Sequence, residues 1–284
     1  MEKVSVFIPT YNRSELLTRA VLSVLDQTYG NIEVIVVDDC STDATKEVIA
    51  GLMLMDSRLS YYCNETNSGA CVSRNLAIKH AKGRFITGLD DDDYFEINRV
   101  QEFIAAWESK DESCVGLYTD YFVINKGAST EVVNYPDRTL LGDLYVRNSV
   151  GNQIFTEVVI LRMSGGFDVS LSCWQDLDAW LNLLLQNENC FLSKVKNHSY
   201  TLDKSHEHER ISSGSVDKYV SSAAVLATKF DLSLSKRSRL LMQAYLYDPR
   251  SIPFATFLFS SITSLSPYVF FRSLRNYIVN KKNM

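Results

Sequence analysis

The chain has 284 residues, is 46% hydrophobic and 22% charged, and carries a net charge of −5. Those values fit one large folded domain or two small ones and exclude a disordered chain. The acidic balance argues against nucleic acid as the main partner, because no overall basic field gathers phosphates. The six cysteines (Cys40, Cys63, Cys71, Cys114, Cys173, Cys190) form no CxxC pair and no Cys/His ligand spacing, which points to reduced thiols in a cytosolic protein. The apolar run in VSVFIPTYNR is too short for a signal peptide and lacks a small-residue cleavage site, so a cytoplasmic location is expected.

Val4 to Ile8 reads as a buried strand ending at Pro9. Asn12 and Glu15 have capping-box spacing, and Leu17, Ala20, Val21, Val24 and Leu25 follow at helical intervals. IEVIVVDD is a second buried strand; Ser41 or Thr42 is placed to cap the next helix, with Asp43 in its first turn. Leu59 to Cys63 is a third strand, Gly69 to Lys82 a helix stopped by Gly83, and Arg84 to Leu89 a fourth strand. This alternation predicts a parallel, doubly wound α/β layer. Ligands in such sheets bind beyond the carboxyl ends of the strands. Pro9-Thr10-Tyr11, Asp38-Asp39 and Asp90 to Asp93 all fall there.

Beyond this layer a helix is expected over Ile97 to Trp107. CVGLYTDYFVI and TEVVNY read as strands around a turn at Asn125 to Ser129, NQIFTEVVILR as another strand, and a helix starts near Trp174. One continuous sheet is expected. Ser215 to Tyr247 is helical in composition. Ile252 to Lys282 is apolar and aromatic, is interrupted by Pro253 and Pro267, and contains Arg272, Arg275, Lys281 and Lys282. Basic residues beside aromatics suit a membrane interface; a helical pair packed on the rest of the protein, or a homodimer contact, are the alternatives.

The four consecutive aspartates Asp90 to Asp93 are placed at a strand end beside Asp38 and Asp39. Carboxylates gathered there suit a hard cation, Mg2+ or Mn2+; the plain alternative is a solvated acidic turn. Asp38 and Asp39 can accept from ribose hydroxyls or a base N–H, or can cap a helix. Arg74 can pair with a diphosphate, or lie on the surface. No GxGxxG follows the first strand and no GxxxxGK[ST] occurs, so a dinucleotide site and a P-loop are excluded. Asp176 and Asp178 in CWQDLDAW point roughly 200° apart on a helix, so only one faces a cleft. Asp176 is the choice for a general base, the bland reading being an acid that satisfies the helix dipole. His206 and His208 in SHEHER can touch a metal or a leaving diphosphate; a plain surface strand would alternate in the same way.

VSVFIPTYNR, VIVVDDCSTD, NSGACVSRNLAIKHAKGRFITGLDDDD and WQDLDAW resemble, in that order, the motifs of the family 2 inverting glycosyltransferases. The resemblance covers the first 95 residues or so strongly and extends more weakly to about residue 210. It implies the GT-A fold: a nucleotide-sugar-binding half over residues 1–95 and an acceptor-binding half over 96–212, followed by a helical C-terminal region over 213–284 whose composition suits a membrane surface. Pro9, Thr10 and Tyr11 would line the uracil and ribose pocket, Asp39 would bind the uridine, and Arg74 would lie near the diphosphate. Asp90 and Asp91 would support the nucleotide sugar. Asp92 would contact the metal, joined by His208 or, if the register differs, His206. Asp176 matches the catalytic base. Gln175 stands where the family has a glutamate, and Asn182 where it often has an arginine, so the roles of those two positions do not carry over.

The resemblance implies transfer from a UDP-sugar donor to a hydroxyl of an undecaprenyl-diphosphate-linked saccharide at the inner face of the plasma membrane. An α-linked donor would then give a β linkage, in O-antigen or capsule synthesis. A polyprenyl-phosphate glycosyltransferase and a non-catalytic sugar-nucleotide-binding protein are the rival readings. A sugar-nucleotide pyrophosphorylase would need an early glycine-rich basic loop, which FIPTYNRSELL is not.

Overall fold

The computed structural model describes residues 1–126, 130–186, 189–207, 215–248, 251–264, 271, 274 and 275. The chain forms two compact units. The first comprises Met1–Leu140, Val150–Val169 and Ala179–His208; the second comprises Leu141–Ser149, Ser170–Asp178 and Glu209–Met284.

The first unit is built on β1 (Val4–Thr10), every residue of which is buried. β1 pairs in parallel with β2 (Ile32–Asp38), in a register that sets Thr10 beside Asp38. β3 (Leu59–Cys63) extends the sheet beyond β2, and β4 (Phe85–Gly88) lies parallel to β1 on its other side. Burial on both faces explains the uninterrupted β-branched runs in β1 and β2. Between these strands run α1 (Ser14–Leu25), α2 (Thr45–Met55) and α3 (Ala70–His80). Leu17, Val21 and Val24 of α1 and Ile49 of α2 join Val6, Ile8, Val34 and Val36 in one buried cluster. Each such side chain contributes ~1.5–3 kcal/mol on leaving water.

Both expected caps are corrected. Asn12 has φ 52 and its side chain accepts from Thr42 N at 2.7 Å, so it binds across to the next loop instead of capping α1. Neither Ser41 nor Thr42 caps α2. Asp43 serves both helices, accepting from Thr45 N at 3.0 Å and from Ser14 N at 3.1 Å. An acid shared by two N-termini is favoured by both dipoles.

The expectation of one continuous sheet is also corrected. A second sheet is made of β5 (Tyr94–Phe95) and, after α4 (Arg99–Glu108), of β6 (Cys114–Ile124), β7 (Thr130–Val133), β8 (Arg138–Thr139) and β10 (Phe191–Asp203). β9 (Thr156–Glu157) closes the first sheet, antiparallel to β4. A bridge between Leu117 and Phe155 is what joins β6 to the β9 segment. NQIFTEVVILR is therefore a strand for two residues only, then helix α6 (Val158–Met163). Tertiary bonding overrides its β-branched composition. Arg162 on α6 donates to the carbonyls of Ile78 at 2.8 Å and Ala81 at 2.7 Å, a cation on the C-terminus of α3, and Val158 and Leu161 are buried.

α5 (Leu141–Leu144) belongs to the second unit, and α7 (Gln175–Leu185) contributes its first four residues there and the rest to the first. The second unit otherwise contains α8 (Val216–Lys229), capped by Ser215, α9 (Leu234–Ala244) and α10 (Phe254–Thr263). Met242, Tyr245, Ile252 and Phe257 form its small core. No helix among the described residues is long and apolar enough to cross a membrane.

Candidate active site

The four aspartates follow β4, and each meets a different set of donors, which is how four like charges are accommodated at one strand end. Asp90 accepts from Arg74 Nη2 at 3.0 Å, Gln153 Nε2 at 3.2 Å and Asn152 Nδ2 at 2.8 Å. Asp91 accepts from Thr10 Oγ1 at 2.8 Å and Arg13 Nη1 at 2.9 Å. The same Arg13 nitrogen lies 3.2 Å from Asp92 Oδ2, and His206 Nε2 lies 3.2 Å from that oxygen. Asp93 turns inward to Tyr200 Oη at 2.7 Å and the Asp203 amide at 3.0 Å. Asp90 is the most open of the four; the other three are buried.

Electrostatics follow the burial. Desolvation pushes the Asp91 carboxyl up to about 6; the Arg13 charge opposes the rise and Asp92 adds to it. Burial drives the Tyr200 hydroxyl well above its ordinary value, with Asp93 and Asp90 reinforcing it, so it stays protonated and donates. The Tyr200 ring lies 5.1 Å from the fully buried Arg99 guanidinium, which also sits over Phe95 and Phe103.

Glycine is required at two positions behind this edge. At Gly88 a Cβ would overlap Gln153 Oε1 and the Phe7 ring, whose Cε2 would lie 2.6 Å away. Gly69, at the start of α3, has φ 90, and its amide donates to Asp39 Oδ2 at 2.6 Å. Asp39 also accepts from Ser68 N at 2.8 Å and Asn64 Nδ2 at 2.7 Å. Its buried carboxylate thus suspends the 64–69 loop that feeds α3 and Arg74.

Of the residues singled out in the sequence, Thr10, Arg74, Asp90, Asp91 and Asp92 come together in this network. Pro9 is buried in β1 and Tyr11 is exposed just beyond it. Asp39 engages the loop. His208 lies outside the described residues, and His206 is the histidine beside Asp92. Sequence reasoning missed Arg13, Asn152, Gln153 and Tyr200. Arg13 was visible as the last residue of TYNR, but nothing in spacing ties residues 152, 153 or 200 to residue 90.

Within the second unit, Asp176 accepts from Asn148 Nδ2 at 2.7 Å and is half-buried. Asp178 is fully buried and holds Lys229 Nζ at 2.8 and 2.9 Å. The two acids do face apart. Gln175 donates to the Leu171 carbonyl at 3.1 Å.

Among the described residues no three His, Cys, Asp or Glu side chains gather as a metal-holding group. Asp92 and His206 still fit a shared cation. Ligands at about 2.1 Å on adjacent octahedral positions stand about 3.0 Å apart, and Mg2+ commonly takes one or two protein ligands and completes its shell with water and phosphate oxygens. The pair suits an ion brought together with a diphosphate, not an all-protein cage.

A mostly parallel α/β sheet with acids, arginines and a histidine at its carboxyl edge is the architecture of the GT-A glycosyltransferases. The chain belongs to glycosyl transferase family 2, whose sequence profile matches residues 5–164, and it is a glycosyltransferase. It is 38% identical over 188 residues to WcaA of Escherichia coli (strain K12), a glycosyl transferase assigned to colanic acid biosynthesis; the match covers 64% of this chain and 66% of that one. It is 34% identical over 186 residues to WfaP of Escherichia coli, a UDP-Glc:alpha-D-GlcNAc-diphosphoundecaprenol beta-1,3-glucosyltransferase, covering 65% of this chain and 71% of the relative. The structure of S. aureus TarS 1-349 in complex with UDP-GlcNAc superposes with a TM-score of 0.69 at 21% identity, over 97% of this chain and 89% of that 1-349 chain.

Proposed function

We propose that the protein transfers a sugar from a UDP-sugar, with inversion, to a hydroxyl of an undecaprenyl-diphosphate-linked saccharide in bacterial surface polysaccharide synthesis, working at the inner membrane surface. The observation that carries the donor half is the convergence of Thr10, Arg13, Arg74 and Asp90 to Asp92 at one sheet edge. The acceptor class rests on the names of the relatives, WfaP above all.

In this reading Arg74 and Arg13 pair with the diphosphate oxygens, and Asn152 and Gln153 hold Asp90 toward the sugar. Pro9, Thr10, Tyr11 and Asp39 frame the nucleoside. A divalent cation, Mn2+ or Mg2+, held by Asp92 with His206 would neutralise charge that builds on the departing diphosphate. Asp176, oriented by Asn148, takes the proton from the acceptor hydroxyl as that oxygen attacks the anomeric carbon. The bond from that carbon to the diphosphate oxygen breaks on the opposite face, and UDP leaves with the bonding pair.

The test is transfer from UDP-glucose to a synthetic GlcNAc-diphosphate-lipid, with the product's anomeric configuration read by NMR. Asp176→Asn should lose ~10²-fold or more in kcat while UDP affinity stays within twofold. A retained configuration, or an Asp176→Asn variant at wild-type rate, overturns the mechanism. The latter result together with a polyprenyl-phosphate acceptor would favour the transferase that needs no hydroxyl-deprotonating base.

A further inference from the structure

Helix α10 turns much of its apolar surface outward. Its buried positions are Phe257, Ser260 and Ser261, and neither serine hydroxyl has a hydrogen-bond partner among the described residues. Its outward positions carry Phe254, Leu258, Phe259 and Ile262, between 46% and 64% exposed. Phe254, Leu258 and Ile262 recur at intervals of four, a single stripe along the helix. Water is a poor neighbour for that stripe, and a helix of this polarity is at home only where its outer surface meets something apolar.

The adjoining helix supplies the charge. Leu234, Arg237 and Leu241 of α9 and Ala255, Thr256 and Phe259 of α10 line a groove of about 400 Å³. Leu234 is 56% exposed, and the Arg237 side chain, fixed through Nε on the Leu232 carbonyl at 2.6 Å and 3.8 Å from the exposed Asp231 carboxylate, is 49% exposed. Lys236 is exposed one residue earlier. Over residues 233–284 the sequence has eight Lys and Arg against one Asp, a local charge of +7 in a chain of net −5. Positive charge is therefore concentrated in the stretch of sequence that contains the exposed apolar stripe. At ten residues, α10 is about 15 Å long, half the ~30 Å hydrocarbon core, so it can lie in a bilayer surface and cannot span it.

We propose that the α9–α10 face is the membrane dock of this protein. Phe254, Leu258, Phe259 and Ile262 enter the acyl boundary of an anionic bilayer, while Arg237 and Lys236 meet the lipid phosphates at the rim of the groove. The occupant is an anionic lipid surface, selected by the match of sign, and a neutral surface would satisfy only the apolar half. The proposal rests on the membrane location assigned above, and identifies the surface that produces it.

The test uses the full chain and vesicles free of nucleotide sugar and of acceptor, so that its outcome does not depend on the transfer reaction. In flotation with phosphatidylglycerol vesicles the wild type should bind, and at least tenfold less to phosphatidylcholine vesicles. Phe254→Ser/Leu258→Ser/Ile262→Ser and Arg237→Glu should each weaken binding tenfold or more, with UDP affinity unchanged; only the effect of Arg237→Glu should shrink as salt is raised. A Phe259→Trp variant, which preserves an aromatic ring, should gain fluorescence quenched by brominated acyl chains. Wild-type flotation that is absent, or that persists in both variants, overturns the proposal. So does a dimer in sedimentation that the serine variant dissolves, which would make a second copy the occupant. Indole fluorescence of the Phe259→Trp variant that stays unquenched, with residues 265–284 needed to shield it, would make the chain's own tail the occupant.

Discussion

Replacing Asp39 separates its structural duty from any contact with nucleotide. Its carboxylate accepts three bonds of 2.6–2.8 Å, two from the backbone amides of Ser68 and Gly69 and one from Asn64. Bonds to an ionised group contribute about 1.5–3 kcal/mol each, and removing the acceptor leaves buried donors unsatisfied. Neighbouring bonds do not add, and Asn64 keeps its bond to Ser73 Oγ at 3.0 Å, so Asp39→Ala is expected to cost about 3–5 kcal/mol in local stability. At roughly 1.4 kcal/mol per decade, hydrogen exchange at the Ser68 and Gly69 amides and the first turn of α3 should accelerate between about a hundredfold and several thousandfold. Asp39→Asn should lose less, about 2 kcal/mol, since one oxygen remains to accept while the new NH2 group opposes an amide. Exchange followed by mass spectrometry over residues 64–74 reads both. UDP affinity should fall with the protection, because α3 carries Arg74. Unchanged exchange in Asp39→Ala, with the unfolding midpoint within 2 °C of wild type (about 1 kcal/mol at this size), would refute the claim that the loop hangs on this carboxylate.

Gly88→Ala should destabilise by about 3 kcal/mol or fail to fold, because its methyl group would overlap Gln153 and Phe7 in a packed sheet; thermal unfolding decides, and a neutral result would mean that the strand end is loose. Desolvation pushes the Asp43 carboxyl up, but bonds from Thr45 and Ser14 outweigh it and hold it below the usual aspartate value. Its folded pKa being depressed, the contribution is present above the unfolded value of about 3.9 and disappears as pH falls through the folded one. Asp43→Ala should therefore cost about 0.5–1 kcal/mol at pH 7, the low end for a capping bond because the group is exposed, and the gap in urea midpoint should narrow below about pH 4. Chelation by EDTA, and Asp92→Asn, should each lower turnover by ~10²-fold or more, and the variant should lose Mn2+ binding measured by water-proton relaxation in the presence of UDP. Full Mn2+ affinity in Asp92→Asn would remove this residue from the metal site.

Much of the first unit was legible because each of its signals is local. The buried runs of β1 and β2 can be strands only if both faces are covered, and the amphipathic intervals of α1 specify what covers one of them. Alternation of strand and helix then dictates parallel pairing, and with it the placement of Thr10, Asp38 and the acidic quartet at strand ends. Residue order alone thus determined the fold class, the family and the gathering of Thr10, Arg74 and Asp90 to Asp92 at one sheet edge.

What the tertiary structure decided were the partners of those residues. Asn152, Gln153 and Tyr200 reach Asp90 and Asp93 from segments 62 to 110 residues distant in the chain, and no periodicity encodes a contact of that separation. The two misplaced caps and the short β9 have the same origin: Asp43 and Arg162 each satisfy backbone groups of a neighbouring element, and these bonds exist only once the elements are packed. The outward stripe of α10 is the converse case. Its composition was plain in the sequence, but the direction it faces depends on which side of the helix packing hides: Phe257, Ser260 and Ser261 were hidden while Phe254, Leu258, Phe259 and Ile262 were not.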